Sequence, residues 1–149
     1  MSGSVLVHAT AVAIAGRAML LRGPSGVGKS DLALRLIDAG AQLIADDQSE
    51  LTRRADTVFV RAPAALAGLL EVRGVGIVRF PVLAEAPLTL LVDLVSSEAV
   101  ERLPEWRSEP VLGCPVPLIS IAPFEASAIA KLRLASSLRG ASRPPDIRG

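Results

Sequence analysis

Eight consecutive residues, Gly23, Pro24, Ser25, Gly26, Val27, Gly28, Lys29 and Ser30, satisfy the phosphate-loop pattern G-x-x-x-x-G-K-[ST] at every specified position. The chemistry this spacing serves is the grip on a polyphosphate. Glycine takes backbone conformations closed to residues with side chains, so successive N–H groups can turn inward around phosphate oxygens. A helix opening near Ser30 adds unpaired N–H groups and the positive end of its dipole. In that arrangement Lys29 reaches the β/γ-phosphates and the Ser30 hydroxyl takes a place on Mg²⁺.

A second chemical signal is the adjacent pair Asp46-Asp47. One carboxylate could help hold Mg²⁺ while the other accepts the proton that an acceptor hydroxyl must lose as phosphate arrives. A solvated turn, which aspartate also favours, is the alternative. The segment Glu71-Val72-Arg73-Gly74-Val75-Gly76 carries an acid and a base among glycines and, taken alone, reads as a loop entering a strand. His8, the single histidine, taken alone reads as a hydrogen-bonded structural residue. Cys114 is the single cysteine, which excludes an intrachain disulfide and a thiolate-rich metal site. Beside Gly113, Pro115 and Pro117 it reads as a small buried residue at a turn.

The elements that must position these groups follow from apolar spacing. Residues 18–22 predict a buried strand directly before the loop, and the pairs Leu32/Leu36 and Ala33/Ile37 predict a helix from Ser30 to a stop at Gly40. Residues 41–45 predict a short strand ending at Asp46-Asp47, in the crevice at the strand carboxyl ends where open α/β sheets bind ligands. Residues 5–14, apolar on both sides, predict a buried strand or strand pair, with Gly16-Arg17 turning into 18–22. Residues 50–54 and 57–61 predict a hairpin, and 63–70 a short helix with Pro63 in its first turn. Residues 88–95 predict a strand whose Asp93 faces the sheet edge or supports the metal site. Residues 98–103 predict a helical turn, 116–121 the last strand, and 124–138 a terminal helix with Ala130, Leu134 and Leu138 on its apolar stripe.

A chain of 149 residues, half of them hydrophobic and with mean hydropathy +0.46, predicts one domain with a well-covered sheet. No apolar run approaches the length of a membrane span, and residues 1–7 lack the basic start and apolar segment of a signal peptide, so a cytoplasmic protein without a membrane partner is expected. The formal charge of +1 is uneven: from Lys131 onward there are five basic residues and one acid, against 11 basic and 14 acidic before it. With no aromatic residues interleaved to stack bases, that basic end reads as a solvated tail and no nucleic-acid partner is expected. Residues 140–149 read as a disordered tail.

Taken together, His8, the loop at 23–30, Ala45-Asp46-Asp47, the run Leu70-Glu71-Val72-Arg73-Gly74-Val75-Gly76-Ile77 and Gly113-Cys114-Pro115-Val116-Pro117 resemble the catalytic domain of HPr kinase/phosphorylase across about residues 5–135. The likeness is to a short form without the amino-terminal domain of longer members, with the catalytic domain at 1–139. It implies an α/β fold: a mixed sheet carrying a phosphate loop, flanked by helices and similar to phosphoenolpyruvate carboxykinase. It implies ATP- and Mg²⁺-dependent transfer to a serine of HPr, the small phosphocarrier of the sugar phosphotransferase system, in carbon and nitrogen regulation. It moves His8 to the active site beside the phosphates. It makes Asp47 the proton acceptor, with the adjacent Asp46 close behind. It adds Glu71 to Ser30 as a metal ligand, puts Arg73 in the catalytic segment, and gives Arg102 the role of stabilising charge on the transferring phosphoryl group. The family's usual assembly is a homo-hexamer.

One stretch departs from the family. Full-length members carry a proline-glycine-arginine-asparagine element before the terminal helix, tied to phosphate-driven dephosphorylation. Here Ala122-Pro123-Phe124-Glu125-Ala126-Ser127 lacks the arginine, so the likeness does not extend to the phosphorylase half. Two other readings of the same loop stay open: a kinase for a small hydroxyl compound, and a nucleotide-sensing module that binds ATP without phosphotransfer.

Overall fold

The computed structural model describes residues 3–138, so the expectations for the tail at 140–149 lie outside it. The chain opens with β1 (Ser4–Val7), β2 (Thr10–Ile14) and β3 (Arg17–Arg22). The β2–β3 hairpin turns at Ala15-Gly16 with φ of 51° and 76°, and positive φ at both corners matches the right-handed twist of the flanking strands. The phosphate-loop segment follows β3 and leads into α1 (Lys29–Asp38). That helix ends as its Gly40 predicts: the Ala41 N–H donates to Leu36 O at 2.9 Å and the Gly40 N–H to Ile37 O at 3.0 Å, satisfying two orphan carbonyls.

Next come β4 (Gln42–Ala45), the hairpin β5 (Ser49–Arg54) and β6 (Thr57–Arg61), and a second hairpin, β7 (Leu69–Val72) with β8 (Gly76–Arg79). The chain finishes with β9 (Ala86–Leu94), β10 (Arg107–Val111), β11 (Cys114–Ile121) and α2 (Ala128–Ser137). Nine strands form one mixed sheet in the order β1-β5-β6-β9-β3-β2-β4, with β11 alongside β9 and β10 outside β11; β7 and β8 pair only with each other. Strands β3 and β11 run parallel to β9, and the remaining pairings are antiparallel.

Strand alternation splits the core in two. Met19, Leu21, Val12, Leu43, Leu90 and Val92 point to the face covered by Leu32 and Leu36 of α1 and Leu132 of α2. Ala18, Leu20, Ala11, Ala13 and Ile44 point the other way, toward Leu51, Val60 and Val116, so the sheet curls over this second face instead of taking helices there. A bulge in β9 opposite Ala18 and Met19 shifts the alternation: Leu88 and Leu91 share the curled face although three residues apart. No described helix is long and apolar enough to cross a membrane.

Five points differ from the expectations. Residues 63–70 form only a 3₁₀ turn at Ala64–Leu66, because Gly68 takes φ 82° and the chain then enters β7, where Leu70 is fully buried. Residues 71–78 are the second strand-pair itself, a hairpin and not a loop entering a strand. Strand β10 was not legible because Pro110 interrupts its run, which an edge strand tolerates. The terminal helix starts at Ala128 and buries Ala128, Leu132 and Ser136, while Ala130 and Leu134 face outward. Both sets recur at i,i+4, so spacing alone could not choose the face. Residues 98–103 are reduced to a 3₁₀ turn at Ser97–Ala99.

Candidate phosphate-binding and acid-base site

One end of the sheet gathers the chemistry. Strand β3 ends at Arg22, directly before the glycine loop; β9 and β11 run parallel to it and end beside it. Strand β2 is antiparallel to β3, so its first residue, Thr10, pairs with Leu21 at the same end, and β4 brings Ala45 opposite Ala11. His8, the loop at 23–30, Asp46-Asp47, the stretch after β9 that holds Arg102 and the stretch after β11 that holds Phe124 therefore all leave the sheet at this edge.

Within the loop, Gly26 has φ 84° and Gly28 φ 109°, both in the left-handed range that favours glycine. Gly28 is the N-cap of α1, so the first unpaired N–H groups of the helix follow it directly. Lys29 is 6% exposed, and its ammonium donates to Gly23 O at 2.7 Å and to Pro24 O at 3.2 Å. Main-chain carbonyls thus satisfy a buried charge that would otherwise be costly, and hold it within the loop.

The two aspartates are held differently. Asp46 Oδ1 accepts from Ser30 Oγ at 2.7 Å and from Thr10 Oγ1 at 3.1 Å, and Thr10 Oγ1 in turn accepts from the Asp47 N–H at 3.1 Å. Thr10 is fully buried, and sequence reasoning missed it; the signal was a lone hydroxyl in an otherwise apolar strand. Asp47 takes φ 66°, a conformation aspartate tolerates better than most residues, and its side chain turns out into the cleft. There its Oδ1 lies 3.0 Å from His8 Nε2.

A cleft of about 380 Å³ has Lys29, Ser30, Asp47, Glu71, Arg73 and Phe124 among its lining residues, while His8 and Asp46 reach it only through their contacts with Asp47 and Ser30. Glu71 and Arg73 come from the β7 hairpin, which is fixed against the helix-covered core through Leu70 and Val72. The oxygen donors at hand, the Ser30 hydroxyl and the carboxylates of Asp46 and Glu71, suit a hard divalent cation, while no group of three or more His, Cys, Asp or Glu forms a ready cage among the described residues. That donor set fits Mg²⁺ bound by one or two side chains together with substrate phosphates. Arg102 is exposed on the stretch after β9 and is not among the residues lining the cleft. Asp93 accepts from Arg22 Nε at 2.8 Å at the strand end and does not line it either. Cys114 is buried at the start of β11, after a turn at Leu112-Gly113. In the stretch before the terminal helix, Glu125 accepts from Lys131 Nζ at 2.7 Å, and its neighbour Phe124 reaches the cleft.

A curled mixed sheet with few helices, carrying a strand, glycine loop and helix at the edge where two aspartates converge, defines a mixed α/β domain. The chain belongs to the HPr Serine kinase C-terminal domain family, whose model matches residues 1–132. It is 40% identical over 128 residues to the HPr kinase/phosphorylase of Leptothrix cholodnii, covering 77% of this chain and 39% of that protein. It is 33% identical over 103 residues to the HPr kinase/phosphorylase of Clostridium tetani, covering 69% of this chain and 33% of that one. The chain thus spans well under half the length of these relatives. The solved HPr(Ser) kinase/phosphatase of Coxiella burnetii superposes with a TM-score of 0.79 at 28% identity, covering 90% of each chain.

Proposed function

We propose that the chain is an ATP- and Mg²⁺-dependent kinase that phosphorylates a serine of an HPr-type phosphocarrier. The observation that carries this reading is the position of Asp47: its carboxylate opens into the same cleft as Lys29, Ser30 and Glu71, while its main-chain N–H is held by Thr10 Oγ1. The names of the relatives support the choice of protein substrate. In this reading the loop N–H groups and Lys29 hold the β- and γ-phosphates, with Lys29 exchanging its carbonyl partners for phosphate oxygens. Asp47 takes the proton from the serine hydroxyl as its oxygen bonds to the γ-phosphorus and the bond to the β-phosphate oxygen breaks, releasing ADP. His8 orients Asp47. Mg²⁺, when bound beside Ser30, supplies positive charge against the phosphate oxygens. Arg73, which lines the same cleft, would face the transferring group.

Incubation with HPr, Mg²⁺ and γ-labelled ATP should place label on an HPr serine, and chelation of Mg²⁺ should abolish it. Absence of transfer to HPr with retained ATP binding would favour a nucleotide-sensing module; transfer to a small hydroxyl compound would favour the other kinase reading.

A further inference from the structure

We propose that Phe124 is the platform on which the base of the bound nucleoside triphosphate stacks. The inference rests on the reading of the glycine loop as a triphosphate site and adds to it the part of the ligand that the loop does not grip. Phe124 is 71% exposed, yet it is the one aromatic side chain among those lining the cleft. Single exposed apolar residues are ordinary on a protein surface. What distinguishes this one is where it is held.

A Cβ placed on Gly28 would lie 2.8 Å from Phe124 Cζ and 3.3 and 3.4 Å from the two Cε atoms. The tip of the ring therefore meets the loop where α1 begins, and the Arg35 guanidinium lies over one face, so a base would stack on the other. Its segment is clamped to the same helix: the Arg35 guanidinium donates to the carbonyl of Pro123, is held at 3.0 Å by Asp31, and lies 6.0 Å from the ring centroid. A triphosphate seated with its terminal phosphates at Lys29 and Ser30 must carry its nucleoside out of the loop along the cleft. Apolar side chains also line the cleft: Phe124, Leu34 one helical turn beyond Ser30, and Val72 on the β7 hairpin. An aromatic face beside apolar side chains binds a flat heterocycle by stacking and desolvation, and tolerates different bases because each has a π-face.

The test compares binding of ATP with binding of inorganic tripolyphosphate, both with Mg²⁺, by titration calorimetry on the intact chain. The wild type should bind ATP at least tenfold more tightly than tripolyphosphate. In Phe124→Ala that preference should fall roughly tenfold through weaker ATP binding, with tripolyphosphate affinity unchanged, and Phe124→Trp should restore it. Because the ring is exposed, both variants should keep the thermal stability of the wild type. An unchanged preference in Phe124→Ala, or equal weakening of both ligands, overturns the stacking role while leaving the phosphate site standing. Failure of the wild type to bind either ligand overturns the phosphate site and the stacking proposal with it.

Discussion

Ser30 Oγ donates to Asp46 Oδ1 at 2.7 Å, so the last residue of the glycine loop is tied to the first of the two aspartates before any ligand arrives. Thr10, buried at the start of β2, donates to the same oxygen and holds the next main-chain N–H. The two carboxylates are thereby given separate surroundings by their backbone, which the proposed reading turns into separate tasks. Asp46 stays beside the hydroxyl suited to the cation, and Asp47, turned by its positive φ, meets His8 and the open cleft.

Replacing each aspartate by asparagine should separate these tasks. If Asp47 is the proton acceptor of the proposed kinase, Asp47→Asn is expected to lower kcat by about 10²- to 10⁴-fold while ATP affinity stays near that of the wild type. Asp46→Asn keeps an oxygen able to accept from Ser30 and Thr10 but loses the negative charge. Its expected signature is a higher Mg²⁺ concentration for half-maximal rate, with most of kcat recovered at saturation. Equal loss of kcat in the two variants at saturating Mg²⁺ would contradict the division.

Gly28 and Gly40 have nearly the same backbone angle, φ 109° and 108°, but different surroundings: an added Cβ at Gly28 meets the Phe124 ring, and at Gly40 it meets nothing within 4 Å. The ring is exposed and can give way, so the strain of a left-handed alanine should dominate at both sites. Gly28→Ala and Gly40→Ala are each expected to cost about 1–2 kcal/mol in urea denaturation. Only Gly28→Ala should also weaken ATP binding, since it alone alters the loop. A neutral Gly28→Ala would show that the loop has no need of glycine there.

What the sequence made legible is what local chemistry determines. The glycine loop, its flanking strand and helix, the stop at Gly40 and the strand leading to Asp46 follow from patterns spanning a few residues, and the structure has each of them. Thr10 and Phe124 were not legible because their importance comes from partners 36 and about 96 residues away in sequence, brought close by the antiparallel return of β2 and by the parallel end of β11. The β7–β8 hairpin was hidden for another reason: Pro63 and the apolar residues after it favour a helical start, and only strand pairing with residues 76–79 overrides that local preference.

The outward stripe of α2 gives a direct check on packing. Leu132 is fully buried against the helix-covered core, while Leu134, two residues on, is 62% exposed. Leu132→Ala should destabilise the fold by about 2–5 kcal/mol, and Leu134→Ala should stay within about 0.5 kcal/mol of the wild type. Comparable losses from both, measured by thermal or denaturant unfolding of the isolated chain, would place the helix on its other face.

Acid sensitivity should trace to the base of the phosphate loop. Arg22, the residue before Gly23, meets Glu109 of β10 through two nitrogens, at 2.5 and 3.1 Å, and Asp93 of β9 at 2.8 Å. Hydrogen bonding to this guanidinium holds the Glu109 carboxyl below its ordinary range, and the carboxylates push Arg22 further up, beyond any pH of interest. A carboxyl lowered in the folded state adds stability above its unfolded pKa, about 4.3, and loses that contribution as pH falls through the lower folded value. Because the Glu109 side chain is 42% exposed, solvent screening limits the effect to about 1 kcal/mol or less. Glu109→Gln should therefore lower the melting temperature slightly at pH 7 and flatten its decline between about pH 5 and pH 3, with the difference shrinking in high salt. If the wild type and Glu109→Gln lose stability in parallel across that interval, the Arg22 bracket is not what ties β10 to the strand end from which the loop departs.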